Sequence, residues 1–144
     1  MTIEDTGIGH TEQVLVQFDD LDPFGAVHHA KVSVLVERAS FSIIRRLGFP
    51  FGHPDATAVV ADLNIQFKTP IAGIGPVDVR MWVDRVGGSS MVDAFEISRG
   101  GTTLATGSRT MVKIDTKTMR PAPWGAEFLA TLTREGLVTG QRAG

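Results

Sequence analysis

Hydrophobic and polar residues change their period along this chain, and each change marks an element. Over residues 13–18, Val14, Val16 and Phe18 alternate with Gln13, Leu15 and Gln17, which predicts a short strand. Residues 19–25 are rich in Asp, Pro and Gly and predict a turn. From about 29 to 47 the spacing lengthens. Val32, Leu35, Val36, Ala39, Ile43 and Leu47 recur every three or four residues, the stripe of one long amphipathic helix. Gly48 supplies its stop, with Arg45 and Arg46 in the last turn and Pro50 just beyond.

Period two then returns. Over residues 59–68, Leu63, Ile65 and Phe67 stand against Asp62, Asn64, Gln66 and Lys68, until Thr69-Pro70 and Gly75-Pro76 interrupt. Val77, Val79, Met81 and Val83 alternate with Asp78, Arg80, Trp82 and Asp84. Gly87-Gly88-Ser89 turns the chain into residues 90–98, where Phe95 and Ile97 carry the apolar face. Gly100-Gly101 is a hairpin signal before a last long strand over 104–115. Phe128, Leu129 and Leu132 share a face of a possible C-terminal helix over 124–135, and 136–144 reads as a loose tail. Short connections predict that sequential strands are antiparallel neighbours. The stripe of the long helix must then bury against their sheet. The prediction is an α+β fold: a curved antiparallel sheet of about five strands wrapped around one long central helix. It forms a single domain over residues 1–144 with its core at about 13–123.

Composition narrows the functional classes. Hydrophobic residues make up 42% and charged residues 21%, as in ordinary globular domains, and the net charge of −2 gives no general attraction to nucleic acid or an acidic membrane. There is no cysteine, which excludes disulfides and thiolate catalysis. The first residues carry no basic and apolar leader pattern, and no apolar run reaches the ~20 residues of a membrane span, so a cytoplasmic location is expected.

The candidate chemistry sits where the turn meets the helix, in Asp20-Leu-Asp22-Pro-Phe-Gly25-Ala-Val-His28-His29. A carboxylate there is aimed at a helix N-terminus, whose free N–H groups suit an anion or a carbonyl oxygen. Asp-Pro is equally the signature of a capping residue or an Asx turn. Asp19 and Asp20 read as solvated turn residues, with Asp20 a possible orienting partner of Asp22. His28 and His29 invite a metal reading, but adjacent helix positions do not face one ion, so no metal is expected.

This junction, with Glu37-Arg38-Ala39 on the helix, Leu47-Gly48-Phe49 at its end and Asp62-Leu-Asn64-Ile-Gln-Phe67 before Pro70, resembles the hydroxybenzoyl-CoA thioesterase-like family of hotdog-fold acyl-CoA thioesterases. Further echoes are Arg85-Val-Gly-Gly-Ser-Ser90, Val112-Lys-Ile-Asp115 and Arg120-Pro121. The resemblance implies hydrolysis of an acyl-CoA or acyl-carrier-protein thioester, with no cofactor, since coenzyme A is part of the substrate. It implies Asp22 as nucleophile or general base, and a backbone N–H at or next to His29 as the oxyanion donor. A second hotdog branch carries its carboxylate on the helix, which makes Glu37 the second-choice catalytic group. The chain departs from the family pattern at His28-His29-Ala30-Lys31-Val32 and at Gly73-Ile-Gly75-Pro76.

Gly25, Val27, His28, Ala30, Asn64, Lys68, Ser89 and Ser90 are the candidate substrate-binding residues. Asn64 serves equally as a structural hydrogen-bonding group, and Ser89-Ser90 as part of a plain hairpin. Lys68, Arg85, Arg99, Arg109 and Lys113 are candidate partners for CoA phosphates, and Phe24, Phe41, Ile44, Phe49 and Phe51 for an apolar acyl group. Two rival functions stay open: a hotdog hydratase or dehydratase on hydroxyacyl thioesters, and a non-catalytic acyl-thioester binding module. The resemblance further implies a homodimer, paired into a tetramer.

Overall fold

The computed structural model describes residues 8–139. Strand β1 (His10–Val16) leads through a 3-10 turn at Phe18–Asp20 and a short loop into helix α1 (His29–Arg46). Strands β2 (Ala58–Phe67), β3 (Gly75–Val86), β4 (Ser90–Arg99) and β5 (Thr102–Asp115) follow, then the two-residue β6 (Arg120–Pro121) and helix α2 (Ala126–Arg134). The sheet order is β1-β3-β4-β5-β2, with every pairing antiparallel and β6 attached to the end of β5. This is an α+β arrangement consistent with the hotdog fold, with two helices among the described residues, α1 and the shorter α2 that falls within the possible helix at 124–135.

The long helix forms because its stripe has somewhere to go. Val32, Leu35, Val36, Ala39 and Ile43 are all buried, in one core with Val14 and Val16 of β1, Val77, Val79 and Met81 of β3, and Phe95 and Ile97 of β4. An isolated helix of this length is marginal in water, so this burial stabilises it. Arg45 and Arg46 complement the C-terminal dipole, and Gly48 follows at φ 102°, where a side chain would be strained.

The structure corrects the sequence reading in several places. β1 begins at His10 and ends at Val16, so Phe18 leaves the alternation and stands 78% exposed on the 3-10 turn. β2 and β3 are consecutive but not neighbours: β2 crosses over to pair with β5, and β1 takes the place beside β3. β2 is therefore an edge strand, with Leu63 and Phe67 exposed instead of covered. The start of the predicted loose tail is docked. Leu137 is buried, the N–H of Val83 donates to its carbonyl, and the N–H of Thr139 donates back to Val83. The rest of that tail lies outside the described residues. No helix among the described residues is long and apolar enough to cross a membrane.

Gly107 of β5 sits opposite Ile65 on β2 and Phe95 on β4. A Cβ there would collide with the Asn64 carbonyl and the Phe95 ring. Gly107→Ala is expected to destabilise the domain by about 1–3 kcal/mol, read as a lower midpoint in urea unfolding, because two paired strands must shift to admit one methyl.

Candidate active site at the start of helix α1

Asp22 opens a turn in which the Gly25 N–H donates to the Asp22 carbonyl at 3.0 Å. Pro23 pre-sets the turn, and Gly25 closes it at φ 82°, a conformation that favours glycine. Asp22 Oδ1 accepts from the N–H groups of Phe24 at 2.8 Å and Ala26 at 3.1 Å, so the Asx turn is made. Oδ2 has no hydrogen-bond partner among the described residues. One oxygen is structural and the other is free for chemistry.

The loop is held on two sides. Its arms meet at the Leu21–Val27 bridge, with the Asp22 N–H donating to Ala26 and the His28 N–H donating to the Asp20 carbonyl. The segment before β3 clamps it from outside. The Val27 N–H donates to Ile71, and the Gly73 N–H donates to Gly25. Arg99 reaches over from β4 to the carbonyls of Ala72 in that segment and of Gly75 and Pro76 at the start of β3, and steadies their junction.

His28 is the N-cap of α1. Its Nδ1 accepts from the Ala30 N–H at 3.1 Å, its carbonyl accepts from Lys31, and its ring stacks on His29 with centroids 4.3 Å apart. Of the first three amides of the helix, those of Ala30 and Lys31 are used. The His29 N–H has no acceptor among the described residues, which makes it the amide available to a ligand oxygen. Ala30, a candidate substrate-binding residue, gives its N–H to the cap and lies outside the lining of the cleft that Asp22 and His29 share.

Asp22 and His29 line one open cleft of about 590 Å³. Phe24, Gly25 and Val27 of the loop also line it, with Phe67 and Lys68 at the end of β2 and Ile71 from the segment that follows. Small-molecule sites fall in this size range. The remaining candidates are dispersed in the single chain. Asn64 is exposed on the edge strand, outside the cleft lining. Ser89 and Ser90 stand beyond the far end of β3, where their carbonyls accept from Lys113 and from Gly87 and Trp124. Glu37 is exposed on α1, also outside the cleft lining.

Two of the proposed phosphate ligands are not on the surface. Arg109 is buried in a bidentate pair with Asp93, at 3.0 and 2.9 Å, and also donates to Ser40. Lys113 is buried and donates to the Ile114 carbonyl. Arg99 is committed to the carbonyls of Ala72, Gly75 and Pro76, and Lys68 is the candidate cation that lines the cleft. No cluster of three or more possible metal ligands occurs among the described residues.

Asp20, expected to be solvated, is fully buried. Its carboxylate takes both arms of the Arg38 guanidinium at 2.8 and 3.1 Å, the Gln17 N–H at 2.9 Å, and the Lys31 ammonium at 3.8 Å. The spacing of Asp20 and Arg38 in the chain gives no hint of this pair, since it joins a turn to a helix face through the packing of α1.

The chain belongs to the thioesterase superfamily, whose family model matches residues 24–106. It is 23% identical over 121 residues to YneP of Bacillus subtilis strain 168, provisionally named an acyl-CoA thioesterase, covering 81% of this chain and 88% of that one. Its fold is similar to that of a thioesterase from Thermus thermophilus crystallised with coenzyme A and zinc (TM-score 0.76, 26% identity, 86% of this chain and 91% of that one). It is also similar to that of the DHNA-CoA thioesterase from Staphylococcus aureus (TM-score 0.79, 22% identity, 89% and 91%). The family match begins two residues after Asp22 and includes His29 and Lys68.

The Arg38 guanidinium holds the Asp20 carboxyl below its ordinary value of 3.8. A depressed carboxyl contributes stability that is present above its unfolded value and lost as pH falls through the folded one. Unfolding free energy is therefore expected to drop as pH falls below about 4. Asp20→Asn should flatten that part of the profile and cost about 2 kcal/mol near neutrality, measured by urea unfolding across the acid range.

Proposed function

We propose that the protein hydrolyses acyl-CoA thioesters, with Asp22 as the attacking or proton-accepting carboxylate and the His29 N–H as the oxyanion donor. The observation that carries this reading is one cleft lined by both residues, with one Asp22 oxygen and the His29 amide unpartnered among the described residues. A thioester carbonyl placed between them meets attack on its carbon and a donor on its oxygen. Asp22 either adds to the carbonyl, giving an acyl anhydride that water cleaves, or takes a proton from the water that adds. The tetrahedral oxyanion forms at a helix N-terminus, where the dipole and the directed N–H both favour it. It collapses with loss of the CoA thiolate, which takes up a proton, and a free carboxylic acid is released. The similarity to YneP and to a thioesterase crystallised with CoA supports CoA as the carrier.

Asp22→Asn is expected to lower kcat by about 10²–10⁴-fold in a free-thiol assay over a panel of acyl-CoA substrates, while Glu37→Gln leaves most of the rate. Full activity in Asp22→Asn, with loss in Glu37→Gln, would move the chemistry to the helix carboxylate. A wild type that binds acyl-CoA without releasing thiol would identify a binding module. Hydration or dehydration of the acyl chain with the thioester intact would identify the hydratase.

The active unit we propose is a homodimer joined through β2, with α1 as the central helix of each subunit. β2 presents Val59, Leu63 and Phe67 at 44%, 42% and 57% exposure along an unpaired edge, a surface that calls for a second strand. Antiparallel pairing with a copy brings the partner's Ala58 beside Phe67 and Lys68 at the cleft. That end of β2 adjoins Lys113, whose N–H is bonded to Ser89, so the dimer carries the partner's Ser89 and Ser90 toward the cleft. Leu63→Asp is expected to shift the protein to a monomer in analytical ultracentrifugation and to reduce turnover together with assembly.

A further inference from the structure

Asp20 and Arg38 form a charged pair at the base of the candidate catalytic loop that thioester chemistry does not itself use. Taking Asp22 as the catalytic carboxylate, we propose that this pair is the positioning element of the site, fixing the Asp22 loop relative to the His29 amide. The two groups to be aligned sit on different elements, Asp22 on a loop and His29 on the first residue of α1. Their separation depends on how the loop is anchored to the helix.

The anchor is Asp20. Its backbone carbonyl accepts the His28 N–H at 2.8 Å, one rung below the Leu21–Val27 bridge, so it holds both arms of the loop together. Its side chain reaches the other way, to Arg38 in the middle of α1 and to Lys31 in the first turn. Arg38 also donates to the Leu15 carbonyl at 3.4 Å, which adds the end of β1 to the same junction. One residue thus ties strand, loop and helix, two positions before the catalytic candidate.

A carboxylate with no exposed surface is an expensive way to fill a core, since an apolar side chain of similar size serves stability as well or better. What a bidentate Arg–carboxylate pair adds is fixed geometry, because two parallel hydrogen bonds define both distance and orientation. The Arg38 guanidinium holds the Asp20 carboxyl below its ordinary value, in agreement with a pair that stays charged near neutrality.

The test compares Arg38→Lys, Arg38→Gln and Asp20→Asn with Asp22→Asn, each confirmed folded by its melting transition, through kcat, KM and amide hydrogen exchange. A displacement on the scale of 1 Å costs about 10²-fold in rate, so Arg38→Gln and Asp20→Asn should lose about that factor in kcat with KM little changed. Arg38→Lys keeps the charge without the fork and should fall between them and wild type. Exchange at the amides of Asp22, Ala26 and His28 should accelerate while β4 and β5 keep their protection. Folded variants with lower melting temperatures but kcat within about twofold of wild type, beside an inactive Asp22→Asn, overturn the positioning role and leave the catalytic assignment standing. If Asp22→Asn itself keeps full rate, the catalytic assignment fails. Unchanged exchange at the loop amides in Arg38→Gln then overturns the anchoring role on its own. Should Asp20→Asn not fold, the two Arg38 variants decide by the same criteria.

Discussion

The candidate site depends on the packing of α1 against the sheet. Five side chains of the helix, Val32, Leu35, Val36, Ala39 and Ile43, are buried on one stripe, and full burial of a large aliphatic residue is worth about 1.5–3 kcal/mol. That exceeds any single hydrogen bond in the loop above it. The helix is therefore the fixed body, and the loop is fitted to it. His29 inherits its place from the first turn, and Arg38 from the middle of the same helix. The loop reaches both through Asp20 and the segment before β3.

In the proposed mechanism, a structural and a chemical role coexist in the Asp22 side chain. The Asx turn occupies Oδ1 with two backbone N–H groups, and both bonds fix the carboxylate in orientation. A carboxylate in a flexible loop would lose reach on every fluctuation, whereas this one is immobilised through one oxygen and open through the other. The N-cap works in the same way. His28 takes the Ala30 amide, and the amide before it is left for a ligand. At both places the local turn chemistry leaves a group available beside the ones it satisfies.

The sheet order has a consequence for assembly. β2 carries Leu63, Ile65 and Phe67 at alternate positions, on one face of the strand. The crossover to β5 places the strand at the edge with those residues partly exposed. Edge strands of stable monomers carry charge, proline or bulges, and β2 has one register shift, between Val60 and Asp62, but keeps its apolar side chains. The proposed dimer accounts for that surface and for the dispersal of Asn64, Ser89 and Ser90 away from Asp22 in the single chain.

Local pattern in the sequence determined the elements and the junction. The three-and-four spacing from Val32 to Leu47 set the helix, the alternation from Val77 to Val83 set β3, and Asp22-Pro23-Phe24-Gly25 set the turn that precedes the helix start. These are short-range effects of side-chain period and backbone preference, so neighbouring residues suffice to predict them. Tertiary structure alone decided the partners. It paired β2 with β5, buried Asp20 against Arg38, withdrew Arg109 and Lys113 from the surface, and docked Leu137 on β3. Each of these joins residues distant in the chain through the packing of a common core, and no local period encodes which distant group a charge or a strand edge will meet.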